Sequence, residues 1–523
     1  MMIINWNKIL DHYNVPSLKM QFSTHILFSL VLVLFSCGTP MEYDIVLRNG
    51  TIIDGKGSER YIGDLAIAKD RIVAVGEVKG SGRDEIDIKG KIVAPGFIDT
   101  HSHHDTKMFE NTDMLAALSQ GITTIFIGQD GSSNYPISDL TEDLERIPVS
   151  INIASFSGHN TLRGKVMGLD HKRPAGDSEV LAMIELLRSD IEAGAWGLSS
   201  GLEYDPGIYS TTDEIISLAK IVSDVNGRYI SHIRSEDRNF WSAIDEIIRI
   251  GRVARLPVQI SHIKLAMNHL HGRADELLSR LNEARDNGIM ISADIYPYTY
   301  WQSTMQVLFP DRDFDDRGSA DLALSEITSP DEVIITQYDP EPGYIGKRLN
   351  EIAELRGEHP SVTLMGLISE TNYDDGSESI VAKSMTETDI IELLEWRYTN
   401  ICTDGGSDGG HPRGYGTYPR ILGQYVREDR SMDLESAIHK MTGLPSLNMG
   451  MDDRGILEPG MAADVVVFDP LRIIDRATFE DPMALSEGIE RVIVNGTMVY
   501  AGGRVNDDRP GRFLPGPGYI ANR

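Results

Sequence analysis

The chain has 523 residues, 41% of them apolar and 24% charged, a balance that suits two or three globular units, or one large barrel with additions, and excludes disorder over most of the length. Lys and Arg number 49 against 79 Asp and Glu, a formal charge of −30; a field of that sign repels phosphate backbones and anionic lipid, so nucleic acid is not an expected partner. Two cysteines, Cys37 and Cys402, are too few for a disulfide framework or a cysteine-based zinc module.

Near the start, an apolar run from Ile26 to Phe35 is too short to span a bilayer but long enough for the core of a signal peptide. It leads into "LFSC", which resembles the lipobox of bacterial lipoproteins with Cys37 as the lipid acceptor. Phe35 is bulky for that motif, and only Lys8 and Lys19 supply basic charge before it. The expectation is an exported, periplasmic or cell-envelope lipoprotein whose signal peptide covers residues 1–37, touching the membrane only through that lipid. An uncleaved anchor, or a start misplaced upstream of Met20, are the alternatives.

From residue 41, "DIVLRNGTIIDGKG", "GDLAIAKDRIVAVG" and "DEIDIKGKIVAPG" read as short strands joined by Asn-Gly and Gly-rich turns. "GILEPGMAADVVVFDP" and "VIVNGTMVYAGGRV" repeat the habit near the other end. Neither piece has enough strands to bury a face alone, so residues 41–95 and 452–506 are expected to join as one small β-sandwich domain.

Between them, over 96–451, eight apolar runs alternate with longer helical stretches: "GFIDTH", "ITTIFIG", "VSINIASFSG", "AWGLSSG", "RYISHI", "PVQISHIK", "IMISADIYPY" and "TNICTDGG". The segments 179–194, 212–227 and 274–288 keep apolar residues at three-to-four spacing, and the last two end at Asn-Gly, a good helix stop. Parallel strands with crossover helices are implied, and eight of them favour a (β/α)8 barrel over an open sheet, although counting alone does not establish closure. The stretch from Trp301 to Asn400 is too long for one loop and helix, so an inserted subdomain is expected around 305–385.

The polar residues that end these runs draw attention. His101 and His103 close the first, Asp130 the second, His232 the fifth, His262 the sixth and Asp404 the eighth. In a barrel the C-terminal strand ends converge on one face, and residues i and i+2 of a strand point the same way. "YISHIR" and "QISHIK" set His232 and His262 one strand-helix-strand unit apart. Each residue alone has an ordinary reading as a capped, solvated or turn-forming side chain. Their joint occurrence at the same ends of different strands points to zinc or another divalent transition metal. Cys402, inside a buried-looking strand, reads as a packing residue.

The pieces "GTIIDG", "VAPGFIDTHSHHD", "GITTIFIGQDG", "SGHNTLRGKVMG", "GAWGLSSGLEYDPG", "YISHIRSE", "QISHIK", "DIYPYT", "TDGG" and "HPRGYGTYPRILGQYVRE" resemble, in order, the amidohydrolase superfamily and within it the N-acyl-D-amino-acid deacylases (D-aminoacylases). The resemblance implies a barrel holding one or two zinc ions. It assigns His101, His103, His232 and His262 as ligands, Asp404 as the catalytic base, and Lys264, Tyr296 and Arg413 as the clamp for a substrate carboxylate. His159 in "SGHN" matches a family piece and is read either as a pocket residue or as structural. D-aminoacylases carry Cys in "GNCG" where this chain has "GQDG", and "AWGLSSG" offers no Lys of the kind that bridges metals in related amidohydrolases. Asp130 is then the remaining candidate to bind or bridge metal. The run "YWQST" after Thr299 is bulkier than the small residues the family carries there.

The implied reaction is metal-dependent hydrolysis of an N-acyl-D-amino acid. Another amide (an N-acyl-D-glutamate, a dipeptide or a cyclic amide) is the alternative substrate, and a non-catalytic metal-binding lipoprotein is the alternative class. A binder needs no general base, so Asp404 argues against that last reading.

Overall fold

The structure, a computed structural model, describes residues 43–521. The apolar run, the lipobox-like segment and Cys37 lie outside them. Among the described residues no helix is long and apolar enough to cross a membrane.

Eight parallel strands form the centre: β1 (Phe97–Asp99), β2 (Ile122–Ile127), β3 (Asn152–Ser155, continued by Ser157–Gly158), β4 (Gly197–Gly201), β5 (Arg228–His232), β6 (Val258–Ile260), β7 (Ile291–Ile295) and β8 (Thr399–Ile401). Each pairs in parallel with the next, from Ile98↔Thr124 round to Asp294↔Asn400. First and last strands meet at their C-terminal ends, where Asp404 N donates to His101 O at 2.9 Å and His103 N to Gly405 O at 3.0 Å. Tyr418 ties the same seam, its hydroxyl reaching both Ile98 O (2.9 Å) and Ile401 O (3.1 Å). Strands covered on both faces read as unbroken apolar runs, and all six residues of β2 are buried.

The crossover helices follow from amphipathic spacing. Phe240–Ala254 buries Phe240, Ala243, Ile244, Ile247, Ile250, Gly251 and Ala254, one stripe at three-to-four spacing. Thr212–Ser223 opens with the Thr211 side chain accepting from Glu214 N, an N-cap that satisfies one orphan donor of the first turn.

The chain ends share one hydrogen-bonded sheet of nine strands. Its two halves meet where Val465–Phe468 runs antiparallel to Ile92–Pro95, and Leu47, Ile67, Val93, Val465 and Ile493 contribute to one apolar core. Between β7 and β8 an antiparallel sheet of Tyr300–Ser303, Glu378–Lys383 and Val333–Tyr338 forms the insertion, with helices at Leu349–Arg356 and Pro360–Glu370. Past the last strand the tail returns to the barrel, Gly511 N donating to Val149 O and Leu514 N to Ile153 O.

One buried charge joins the end sheet to the barrel. Asp464 accepts from Arg454 Nη1 at 2.5 Å and Asn152 Nδ2 at 3.1 Å, and from Asn495 N at 2.7 Å. Burial pushes its carboxyl above the ordinary range, and Arg454 opposes that. Arg454→Leu removes the counter-charge and is expected to cost about 3–5 kcal/mol in denaturant unfolding at neutral pH. Without Arg454 the folded-state pKa rises further above the unfolded value, so the loss shrinks as the pH falls and Asp464 takes up a proton. A loss independent of pH would reject this role.

Candidate active site

The strand ends bring the polar residues named from sequence to one buried centre. His101 Nε2 lies 3.3 Å from Asp130 Oδ2 and 3.3 Å from Asp404 Oδ1. His103 Nε2 lies 3.3 Å and 3.4 Å from the same two oxygens. Asp130 turns its other oxygen the opposite way: Oδ1 is 3.5 Å from His262 Nε2, which is 3.0 Å from His232 Nδ1. One carboxylate therefore faces two donor sets, His101, His103 and Asp404 on one side and His232 and His262 on the other.

Three of these residues pay for their position in backbone conformation. Asp130, His262 and Asp404 have φ of 53°, 35° and 46°, a left-handed region where non-glycine residues are uncommon. Glycine would relieve the backbone, but it has no side chain to deliver to the centre.

These spacings suit a metal. Most are longer than good hydrogen bonds, whereas zinc bonds of about 2.0–2.1 Å in a tetrahedron set neighbouring donors about 3.3 Å apart. Donor atoms of His101, Asp130, His262 and Asp404 all lie within 4.8 Å of one another. Asp130 Oδ1 is buried with no hydrogen-bond partner, an orphan that a cation satisfies. Burial opposes ionisation of Asp130, yet the imidazoles of His101, His103 and His262 outweigh it and hold the carboxyl well below its usual range. Burial likewise opposes a proton on His103, and Asp130 and Asp404 outweigh that, raising its pKa well above the ordinary value. Negative charge strong enough to draw protons onto buried imidazoles also attracts a divalent ion. A second trio, His232, Glu236 and His262, has ligand atoms equally close together, but the Lys264 ammonium sits 2.6 Å from Glu236 Oε1 and 2.7 Å from His262 Nδ1. A cation already in that place argues for an ion-pair network there.

The sequence reading missed the carboxylates behind the histidines. Glu203 Oε2 is 2.8 Å from His232 Nε2, Glu236 Oε1 is 3.0 Å from His262 Nδ1, and Asp294 Oδ1 is 3.7 Å from His101 Nδ1. Asp294 also accepts from His262 N, Gln259 Nε2 and the Cys402 thiol, so Cys402 serves as packing and as a weak donor. At hydrogen-bond distance, Glu203 and Glu236 fix the orientation of the His232 and His262 rings and the nitrogen left free for metal, whereas Asp294 stands beyond that distance from His101. Signals existed: a lone Asp in the apolar run "ISADI", and Glu four residues after His232.

A cavity of about 530 Å³ opens above this centre, and His103, Asp130, His232, His262, Asp404, Lys264, Tyr296 and Arg413 all line it. The clamp is more committed than its residue types suggest. Lys264 is paired with Glu236, and Arg413 Nη1 lies 2.6 Å from Asp404 Oδ2 while its guanidinium stacks 4.6 Å from the Tyr296 ring centroid. The Arg413–Asp404 contact is an ion pair without hydrogen-bond alignment, and Arg413 Nε and Tyr296 Oη are buried donors without partners. His159, read either as a pocket residue or as structural, is structural: its Nε2 is 2.9 Å from Glu214 Oε1, which Arg163 also binds. The third histidine of "HSHH" is structural too, His104 Nε2 donating to Gly414 O at 2.8 Å.

Comparison with known proteins finds relatives over most of the chain. The profile described as the amidohydrolase family matches residues 84–304 and 347–500. The D-aminoacylase of Alcaligenes xylosoxydans xylosoxydans is 34% identical over 502 residues, covering 90% of this chain and 97% of that protein. The N-acyl-D-aspartate deacylase of the same organism is 34% identical over 511 residues, 91% and 95% of the two chains. Among solved structures, N-acyl-D-glutamate deacylase from Bordetella bronchiseptica, complexed with zinc and a phosphonate mimic of the tetrahedral intermediate, superposes with a TM-score of 0.82 at 32% identity, covering 91% of this chain and all of that one.

If Asp130 is a ligand, Asp130→Asn should weaken zinc binding by more than the roughly 10–100-fold that loss of an outer partner costs. Metal analysis after dialysis against a graded zinc buffer measures it, and unchanged zinc content would remove Asp130 from the ligand set.

Proposed function

The chain belongs to the amidohydrolase family, and from that premise and the geometry of its centre we propose that it hydrolyses the amide bond of N-acyl-D-amino acids, releasing a carboxylate and a D-amino acid. The observation that carries the reading is the placement of Asp404. One of its oxygens faces His101 and His103 and the other faces Arg413, at the floor of the cavity.

His101, His103, Asp130, His232 and His262 would hold the zinc, which when bound would supply Lewis acidity toward a carbonyl and a water. The protein's own groups do the rest. Asp404 is held ionised: burial opposes this, and Arg413, His101 and His262 together outweigh it. At Oδ1 it takes a proton from the attacking water and returns it to the amide nitrogen, which departs poorly unless protonated. Arg413 fixes the other oxygen, so the carboxylate cannot swing away. The unpaired donors Arg413 Nε and Tyr296 Oη, with the Lys264 ammonium beside them on the cavity wall, receive the α-carboxylate of the substrate.

The place of action is a separate proposal. The sequence pattern around Cys37 supports export and lipid attachment, which would put the site outside the cytoplasmic membrane.

Asp404→Asn should lower kcat for a good N-acyl-D-amino acid by about 10²–10⁴-fold with zinc content unchanged; wild-type turnover in a zinc-loaded variant would exclude it as the base. For the anchor, Cys37→Ala should move the protein from the detergent-soluble membrane fraction to the aqueous one and abolish labelling by a radioactive fatty acid. Unchanged labelling would refute attachment at Cys37.

A further inference from the structure

Identity does not choose among the relatives' substrates, since the D-aminoacylase, the D-aspartate and the D-glutamate enzymes match at 34%, 34% and 32%. The charge inside the cavity does. Among the described residues, Lys264 and Arg413 are the only Lys or Arg side chains that line it, and each is paired to a carboxylate at the floor. One α-carboxylate uses both, together with Tyr296.

A second carboxylate on the substrate has no such partner. Asp205, Asp237 and Asp408 also line the cavity. Arg312, which binds the lining residue Asp205, also donates to the carbonyls of Gln306, Phe309 and Glu203. The wall built by the insertion offers Trp301, Val307, Leu308 and Ile327 beside polar groups such as Gln302, Gln337 and Ser379 and the acidic Glu378, and among its described residues no cation. Removing a side-chain carboxylate from water against such a surface is unfavourable without a cation to pair it, whereas an apolar side chain gains by the same burial.

Resting on the deacylase reading above, we infer that this chain takes N-acyl-D-amino acids with neutral, preferentially apolar side chains and discriminates against the D-aspartate and D-glutamate derivatives. The insertion, which includes residues 305–346 that the family profile leaves unmatched, supplies much of the selecting surface.

N-acetyl-D-glutamine and N-acetyl-D-glutamate differ by one charge at nearly constant shape, so the pair isolates the effect. The zinc-loaded wild type is assayed for turnover on both and on N-acetyl-D-leucine, and the binding of all three is measured by calorimetry. The expected result is kcat/KM about 100-fold higher for the glutamine than for the glutamate derivative, with leucine above both and binding in the same order. Equal or better turnover or binding of the glutamate derivative overturns the inference. Ordered binding without turnover refutes the deacylase reading and keeps the selectivity; binding of none refutes both.

Discussion

Everything in this molecule is arranged around two carboxylates that should repel each other. Asp130 and Asp404 arrive from different strand ends, the first partly and the second fully buried, and each has an oxygen within 3.4 Å of the same pair of imidazole nitrogens. Two like charges at such range in a low-dielectric setting are tolerable only if positive charge lies between or beside them. The proton drawn onto His103 and the Arg413 guanidinium provide it in the protein alone, and a divalent cation provides it better. The site is thus a cage whose stability and chemistry come from the same imbalance.

The barrel makes that imbalance possible. Parallel strands end at one level, so residues far apart in the chain meet without long loops to hold them. Closure matters most at the seam between first and last strands. Asp99 binds Thr403 through its backbone N at 2.9 Å and its hydroxyl at 2.5 Å, and burial pushes the Asp99 carboxyl up to about 7 against those bonds. The residues two positions beyond Asp99 and one beyond Thr403 are His101 and Asp404. A strand pair locked there fixes the distance between ligand and base. Behind the imidazoles, Glu203 and Glu236 hold the rings of His232 and His262 and Asp294 holds the backbone of His262, so rigidity reaches the centre from outside as well.

What the sequence made legible was periodic or terminal. Eight apolar runs, the i and i+2 histidines and the echo of "SHI" each carry a physical signature along the chain, and the fold and the gathered donors follow from them. The resemblance to the deacylases added roles that spacing alone cannot assign. Side chains whose importance comes from partners distant in sequence stayed hidden. Glu203 looks like any acidic residue until His232 stands beside it, and Lys264 and Arg413 look free until Glu236 and Asp404 are placed. His159 illustrates the reverse: its family resemblance left a pocket role and a structural one open, and a buried Glu214 and Arg163 claim it for structure. The composition of the cavity wall, on which selectivity rests, is assembled from the insertion and is the least readable part in one dimension.

The central claim is that Asp130, standing where D-aminoacylases carry a thiolate, is the carboxylate around which metal assembles. Anomalous diffraction at the zinc edge from crystals of the zinc-loaded protein addresses it directly. The account predicts a peak within bonding distance of an Asp130 oxygen, flanked by the imidazoles of His101 and His103 or of His232 and His262. A fully occupied zinc site with Asp130 turned out of its coordination sphere would contradict it.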